Sequence, residues 1–331
     1  MSALRFYAAD EVHAALGLPA LADAIAQALR DGISAPLRHA HQISPTDSLL
    51  LMPAWSTHSS HNRGAIGVKL VTVFPGNATK LDTIDGEHAA STVNAIYVLF
   101  NRDSGTPRAV IDGEALTLRR TAAASLLAAR YLGPADVRTV LIVGTGRLAR
   151  FMAHAHCTGR TVERLLIWGR SAERAQTMAA ALRAESLPAE AVDDLQGAVS
   201  DAGIISCATT ATAPIVHGAW LAPGTHLDLV GGFKRNMREV DDAAVRSARL
   251  YVDTYAGALA ESGDIVEPME LGVITREDIV GELADLVAGR VEGRRSADEI
   301  TLFKSVGTAI EDLAAAQLLL SVSDAVYRRT T

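Results

Sequence analysis

Three cations stand where the chain is otherwise built to exclude charge. Lys69 interrupts the apolar stretch GVKLVTV, Arg38 follows Pro36 on the first strand-like segment, and Arg120 falls in the first turn of an alanine-rich helical run, beside Thr121. A lysine inside an apolar strand is unfavourable unless something neutralises it. Arginine meets a carboxylate in a planar two-point fit, so the three together suit a clamp for the carboxylate of a small acid. Each also has a structural alternative: Arg38 at a strand edge, Arg119 or Arg120 solvating a helix, and Lys69 on the wet face of a sheet. Helical position favours Arg120 over Arg119 only weakly.

A second chemistry lies in VLIVGTGRLAR, residues 140–150, where Gly144, Gly146 and Ala149 form G-x-G-x-x-A around Thr145, Arg147 and Leu148. The motif follows a strand at 138–143 and opens a helix. Its residues supply a tight turn, close backbone approach to a pyrophosphate and tight helix–strand packing, with the phosphates at the helix N-terminus. The next strand, RLLIW, ends in Gly169-Arg170-Ser171, where NAD-binding proteins usually carry an acid for the ribose hydroxyls. A cation and a hydroxyl there suit a 2′-phosphate, which predicts NADPH in preference to NADH, with NADH still possible. The alternative for Arg170 is a solvated residue at a helix start. The histidine pairs HAH (39–41), HSSH (58–61) and HAH (154–156) lack neighbouring ligands at metal-site spacing. They read as loop or helix-surface residues, and no metal is expected. No G-x-S-x-G elbow supports a serine hydrolase.

The elements that must position these groups divide the chain in two. Its 331 residues, 49% hydrophobic, can bury a large core and favour two domains. Residues 10–31 read as two helices separated at Pro19, and 37–112 as short strands of a mostly antiparallel sheet. A long helix is expected from a cap near Thr117 to Gly133-Pro134. Beyond it, TVLIVG, RLLIWG, GIISCA, HLDLVG and RLYVDT are continuous apolar runs with helices between most of them, the pattern of a parallel, doubly wound sheet. The C-terminal amphipathic helix is expected to fold back on the first domain. The predicted fold class is therefore α/β: a Rossmann dinucleotide-binding domain over 121–306 and a discontinuous α+β substrate domain made of 1–120 and 307–331. A net charge of −7 with interspersed signs argues against nucleic acid or membrane as partner. Two separated cysteines, Cys157 and Cys207, fit reduced core thiols. With no signal-like N-terminus and no apolar run near the roughly 18 residues of a span, a cytoplasmic protein is expected.

Several stretches, GVKLVTVFPGN, IDGEALTLRRTAAASLLAARYL, VGTG and TLFKSVGTAIEDLAAA, together resemble the ornithine cyclodeaminase and mu-crystallin family over nearly the whole chain. The resemblance implies a substrate domain whose sheet pairs with that of a second subunit in a homodimer, and an active site in the cleft beside the Rossmann domain. It implies carboxylate binding by Arg38, Lys69 and Arg120, and a loop near the nicotinamide at Ser305, Val306 and Gly307. Where the cyclodeaminases carry an aspartate after Gly-Gly or Gly-Ala, this chain reads DLVGGFKRNMREVD and has Phe233. A phenyl ring cannot accept a proton or hold an ammonium by charge, which argues against cyclisation of ornithine and favours a neutral, compact ring. Within the family, LTLRRTAAAS, HLDLVGGF and TLFKSVGTA most resemble the bacterial reductases of pyrroline-2-carboxylate and piperideine-2-carboxylate, which form L-proline and L-pipecolate with NAD(P)H. On that resemblance, Lys69 or a water it orients protonates the imine. Asp228, at the end of a parallel strand, either offsets iminium charge or is a cap or loop residue. Ornithine cyclisation, reductive amination of a 2-oxo acid as in alanine dehydrogenase relatives, and NADPH-dependent binding of a small ligand without catalysis, as in mu-crystallin, are the competing readings.

Overall fold

A computed structural model of the chain describes residues 4–57, 64–79 and 91–330, the side chains of 78–79 and 326–330 excepted. The chain forms two compact units, Met1–Arg120 with Thr308–Thr331, and Thr121–Gly307.

Unit 1 is built on a sheet that holds seven strands among the described residues: β1 (Arg5–Tyr7), β2 (Ile33–Ser34), β3 (His39–Gln42), β4 (Ser48–Ser56), β5 (Ala65–Val73), β6 (Val93–Asn101) and β7 (Pro107–Asp112). The order is β1-β7-β6-β5-β4-β2, with β3 also on β4. Every pairing is antiparallel except β1 on β7, a short edge strand with no clear signal in the sequence. Side chains alternate between faces of a strand. In β5 the alternation buries Ala65, Gly67, Lys69 and Val71 and leaves Ile66, Val68 and Leu70 partly exposed, so Lys69 lies on the inner face and not the wet one. Two helices, α1 (Ala9–Ala15) and α2 (Leu18–Asp31), follow β1, with Pro19 in the first turn of α2, where its missing N–H is harmless.

The long helix α3 (Gly113–Leu132) starts one turn before the expected threonine cap. Asp112 Oδ1 accepts from Ala115 N at 2.8 Å and so caps it, while Thr117 Oγ1 donates back to Gly113 O at 2.7 Å from inside the helix. Arg120 consequently lies beyond the first turn.

Unit 2 alternates strands and helices: β8 (Thr139–Val143), α4 (Arg147–Cys157), β9 (Arg164–Trp168), α5 (Ala172–Ala184), β10 (Ala189–Ala191), α6 (Leu195–Asp201), β11 (Ile204–Cys207), β12 (His226–Leu229), α7 (Asp242–Ser247), β13 (Arg249–Val252), α8 (Tyr255–Glu261), α9 (Gly263–Glu270), β14 (Ile279–Glu282), α10 (Leu283–Val287) and β15 (Thr301–Lys304). All pairings in this sheet are parallel, in the order β10-β9-β8-β11-β12-β15-β13-β14. β8, β11, β12 and β15 are buried along their whole length, which is why β8 and β11 read as nearly continuous apolar runs, while β12 and β15 bury Asp228 and Lys304 with partners. The strand order reverses between β8 and β11, the switch point at which such sheets bind ligands. The fold is thus a Rossmann sheet joined to an α+β unit. After β15 the chain returns to unit 1 as α11 (Ala309–Thr330), which packs on α1, α2, β4 and β5. Among the described residues no single helix is long and apolar enough to cross a membrane.

Candidate active site

In unit 1 the expected cations meet two carboxylates. Lys69 Nζ, from β5, donates to Asp312 Oδ1 at 3.0 Å, lies 2.9 Å from Asp312 Oδ2, and donates to Thr117 Oγ1 at 3.3 Å. Arg120, from α3, donates through Nε to Asp312 Oδ1 at 3.0 Å and through Nη1 to Glu311 Oε2 at 2.7 Å. All four side chains are buried. Charges so placed persist only when paired and hydrogen-bonded. Arg119 points elsewhere, donating to His13 O at 2.7 Å and to His13 Nδ1 at 3.3 Å. Arg38 lies in the loop before β3, half-buried, and not on a strand. It is still near enough for its charge to bear on Lys69.

Burial pulls the Lys69 amine down to about 8, opposed by Asp312 and reinforced by the charges of Arg120 and Arg38. Burial works to raise Asp312, but the charges and hydrogen bonds of Lys69 and Arg120 outweigh it and hold the carboxyl below its usual range. Tyr97, the direct cross-strand partner of Lys69 on β6, is buried. Its ring needs glycine at 67, because a Cβ there would lie 1.9 Å from Tyr97 Oη. Glu311 and Asp312 were not singled out from the sequence. The signal was present: two acidic residues at the start of an otherwise apolar helix, and buried cations elsewhere requiring partners.

In unit 2 the glycine loop follows β8. Gly144 has φ +128°, donates to Trp168 O at 2.8 Å, and would place a Cβ 2.6 Å from Ala208 O; only glycine meets both demands. Gly146 caps α4 with open space where its side chain would be, and Thr145 fills the space over Gly169. Arg147 and Leu148 begin α4, and Ala149 is buried. A helix N-terminus beneath an unobstructed glycine fits the pyrophosphate of a dinucleotide. Arg170 is exposed just beyond β9. Ser171 caps α5, its hydroxyl accepting from Arg174 N at 3.3 Å. Ser305, Val306 and Gly307 are gathered by the buried Asp253. Its Oδ2 accepts from Ser305 Oγ at 3.1 Å, Val306 N at 2.8 Å and Gly307 N at 2.7 Å. Phe233 is exposed, with the Lys234 ammonium 5.7 Å from its ring centroid.

Two expectations need correction. Asp228 is neither a crevice group nor a cap: it lies inside β12, fully buried, and its carboxylate accepts from Ser125 Oγ at 2.9 Å and Ser206 Oγ at 2.8 Å and pairs with His156 Nε2 at 2.7 Å. β12 is covered on both faces and the carboxylate is taken up by these three partners, so it cannot offset charge on a bound substrate. His156, expected in a loop or on a helix surface, is fully buried. His154 pairs with Glu185 at the surface, and His39 and His41 are exposed on β3. The HSSH stretch, His58 and His61 included, lies outside the described residues. Among the described residues no group of three or more His, Cys, Asp or Glu is arranged to hold a metal.

A Rossmann sheet with a bare glycine loop at its switch point, joined to a unit that buries a lysine–arginine pair, defines a two-unit protein of the dinucleotide-dependent type. Residues 5–325 match the ornithine cyclodeaminase/mu-crystallin family, and the chain belongs to it. Protein SAR DEFICIENT 4 of Arabidopsis thaliana is 40% identical over 292 residues, covering 87% of this chain and 86% of its own. The Delta(1)-pyrroline-2-carboxylate reductase of Colwellia psychrerythraea is 34% identical over 320 residues, 95% of this chain and 97% of its own. Among solved structures, the Delta(1)-pyrroline-2-carboxylate reductase of Thermococcus litoralis, in complex with NADH and L-proline, matches with a TM-score of 0.88 at 32% identity over 97% of both chains.

Replacing Asp312 by Asn leaves the buried Lys69 facing a neutral amide, while Arg120 keeps Glu311. Urea titration should show a loss of roughly 3–5 kcal/mol in unfolding free energy. Because Asp312 supports the protonated amine, Lys69 should then titrate below its native value, which ¹³C NMR of the lysine ε-carbons reads. Native stability together with an unmoved titration would contradict the assigned pairing.

Proposed function

We propose that the protein is a nicotinamide-dependent reductase of cyclic ketimines, converting Δ1-pyrroline-2-carboxylate to L-proline and Δ1-piperideine-2-carboxylate to L-pipecolate. The observation that carries this reading is the buried Lys69–Arg120 pair anchored on Asp312. It offers a carboxylate-binding arginine beside an amine whose proton is exchangeable near neutral pH. The relatives named for pyrroline-2-carboxylate reduction, one of them bound to NADH and L-proline, support the choice of reaction and of a nicotinamide cofactor.

Arg38, Lys69 and Arg120 bind the substrate carboxylate, and Asp312 and Glu311 fix the direction of the two buried cations. When bound, the nicotinamide supplies the hydride that adds to the C=N carbon of the ring. Lys69, or a water it orients, delivers the proton that the ring nitrogen keeps as the double bond becomes single. An ammonium lowered to about 8 by burial is matched to that task, since a general acid works best with a pKa near the working pH. Phe233 gives the neutral ring an apolar neighbour and withholds the acid that ornithine would need. Gly144, Thr145, Gly146, Arg147, Leu148 and Ala149 cradle the pyrophosphate, and Ser305, Val306 and Gly307, held by Asp253, form the loop near the nicotinamide. Arg170, exposed after β9, receives a 2′-phosphate and makes NADPH the preferred cofactor, with Ser171 beside it.

A homodimer is part of the same proposal. The outer face of the unit 1 sheet carries Pro53, Trp55, Val68, Leu70, Ile96 and Val98 on three adjoining strands, an apolar patch of the kind that a second copy covers. Sedimentation at twice the 34.9 kDa chain mass checks it.

The decisive assay mixes protein, NADPH and each cyclic imine and follows loss of nicotinamide absorbance, with ornithine as the negative control. The Lys69→Met variant should lose about 10²–10⁴-fold in kcat. As pH rises through about 8 the amine loses the proton that reduction consumes, so wild-type kcat/KM should fall there and the reverse oxidation should rise. Native turnover by Lys69→Met, or ammonia release from ornithine, would overturn the reading. With NADH in place of NADPH, kcat/KM should drop, and Arg170→Ala should close that gap; a gap that persists would remove Arg170 from cofactor choice.

A further inference from the structure

Two loops at the carboxyl ends of central strands of unit 2 share one buried acid, Glu239, that the proposed chemistry does not use. Glu239 Oε1 accepts from Thr209 N at 2.8 Å and Thr209 Oγ1 at 2.9 Å, in the loop after β11. Its Oε2 accepts from Gly231 N at 2.9 Å and Gly232 N at 3.1 Å, in the turn after β12 that leads into Phe233. The two segments also touch directly, since a Cβ on Gly231 would lie 2.1 Å from Thr209 O. On its other side the loop after β11 abuts the cofactor motif, because a Cβ on Gly144 would lie 2.6 Å from Ala208 O and 3.5 Å from Thr209 Cγ2. Three loops at the switch point are therefore packed into one body, and four donors converge on a single carboxylate to fix two of them.

We propose that Glu239 is a positioning residue for the nicotinamide end of the sheet: its carboxylate holds the loop after β11 and the turn that presents Phe233 in the arrangement that binds cofactor, and neutralising it releases both. This rests on the reading of unit 2 as the nicotinamide-binding unit. The surroundings permit such neutralisation within the folded protein. The groups facing Glu239 are Lys304 of β15, 3.9 Å away, Asp264 of α9, whose Oδ1 accepts from Glu239 N at 2.7 Å, and the Cys207 thiol of β11. Lys304 is already paired with Asp264 Oδ2 at 2.9 Å, so Glu239 is the excess negative charge of a buried trio. Burial, with the Asp264 charge behind it, raises Glu239 to about 7 despite Lys304. A carboxyl raised in the folded state contributes stability when protonated and loses it as pH climbs from the unfolded value through about 7. Acidification through neutrality thus neutralises this group without unfolding the chain through it.

Glu239→Gln mimics the protonated form, and the whole protein is used with NADH, which has no titrating 2′-phosphate to confuse the pH dependence. The variant should melt at or above the wild-type temperature at pH 8. Its amides at 209 and 231–232 should exchange hydrogen at least tenfold faster than those of the wild type without any ligand. By fluorescence titration it should bind NADH about tenfold more weakly at pH 8. Wild-type affinity should fall as pH drops from 8 to 6 and that of Glu239→Gln should stay flat, so the two converge. Unchanged exchange, or faster exchange with native NADH affinity and a native pH profile, would overturn the proposal. If the wild type binds NADH but reduces no cyclic imine, the reductase reading fails and the Glu239 result stands by itself.

Discussion

A buried lysine and a buried arginine can share a protein interior only if a carboxylate lies between them, and in unit 1 that carboxylate is Asp312. Without it, Lys69 would lose the carboxylate it is paired with while Arg120 kept Glu311, and folding would avoid that by displacing the lysine. With it, β5, α3 and α11 are tied at one point, although Lys69 and Asp312 are 243 residues apart. This explains why unit 1 is discontinuous: the last helix supplies the counter-charges as well as apolar cover for the sheet. It also explains how an amine can be lowered toward neutrality without being expelled, because burial disfavours its charge while Asp312 keeps the charged form within reach.

The same economy recurs in unit 2, where buried carboxylates orient the backbone and leave the chemistry to other groups. Asp253 gathers Ser305, Val306 and Gly307, Glu239 gathers Thr209, Gly231 and Gly232, and Asp228 satisfies two serines and a histidine inside the sheet. Loops that must approach a ligand closely cannot be fixed by side-chain packing from the ligand's side. Hydrogen bonds from beneath them perform that role in a low-dielectric interior where they are strong. Phe233, at the tip of one such turn, is an apolar group on a charged foundation.

Features dictated by local backbone demands were legible in the sequence. The glycine loop could be read because Gly144 needs a positive φ and a missing Cβ at once, and the parallel strands because burial on both faces leaves no polar alternation. Lys69 stood out as a charge that an apolar strand would not otherwise keep. What escaped were relations between distant segments. Asp312 and Glu311 look like ordinary acidic residues of a helix start until Lys69 and Arg120 are beside them. Asp228 differs from its expected role because the rule that ligands gather at strand ends says nothing about what a side chain meets; here Ser125, Ser206 and His156, from three separate segments, take up its carboxylate inside the sheet. The start of α3 was misplaced because Gly113 discourages a helix in isolation, and the cap that outweighs it, Asp112, belongs to the preceding strand.

If the buried cations of unit 1 hold the carboxylate of a ring acid, calorimetric titration of the cofactor-loaded protein must distinguish L-proline from L-prolinamide, which differ only at that group. L-proline should bind at least about tenfold more tightly, in keeping with hydrogen bonds to a charged group, and Arg120→Met should erase the difference. Equal affinity of the wild type for the two ligands would contradict that assignment.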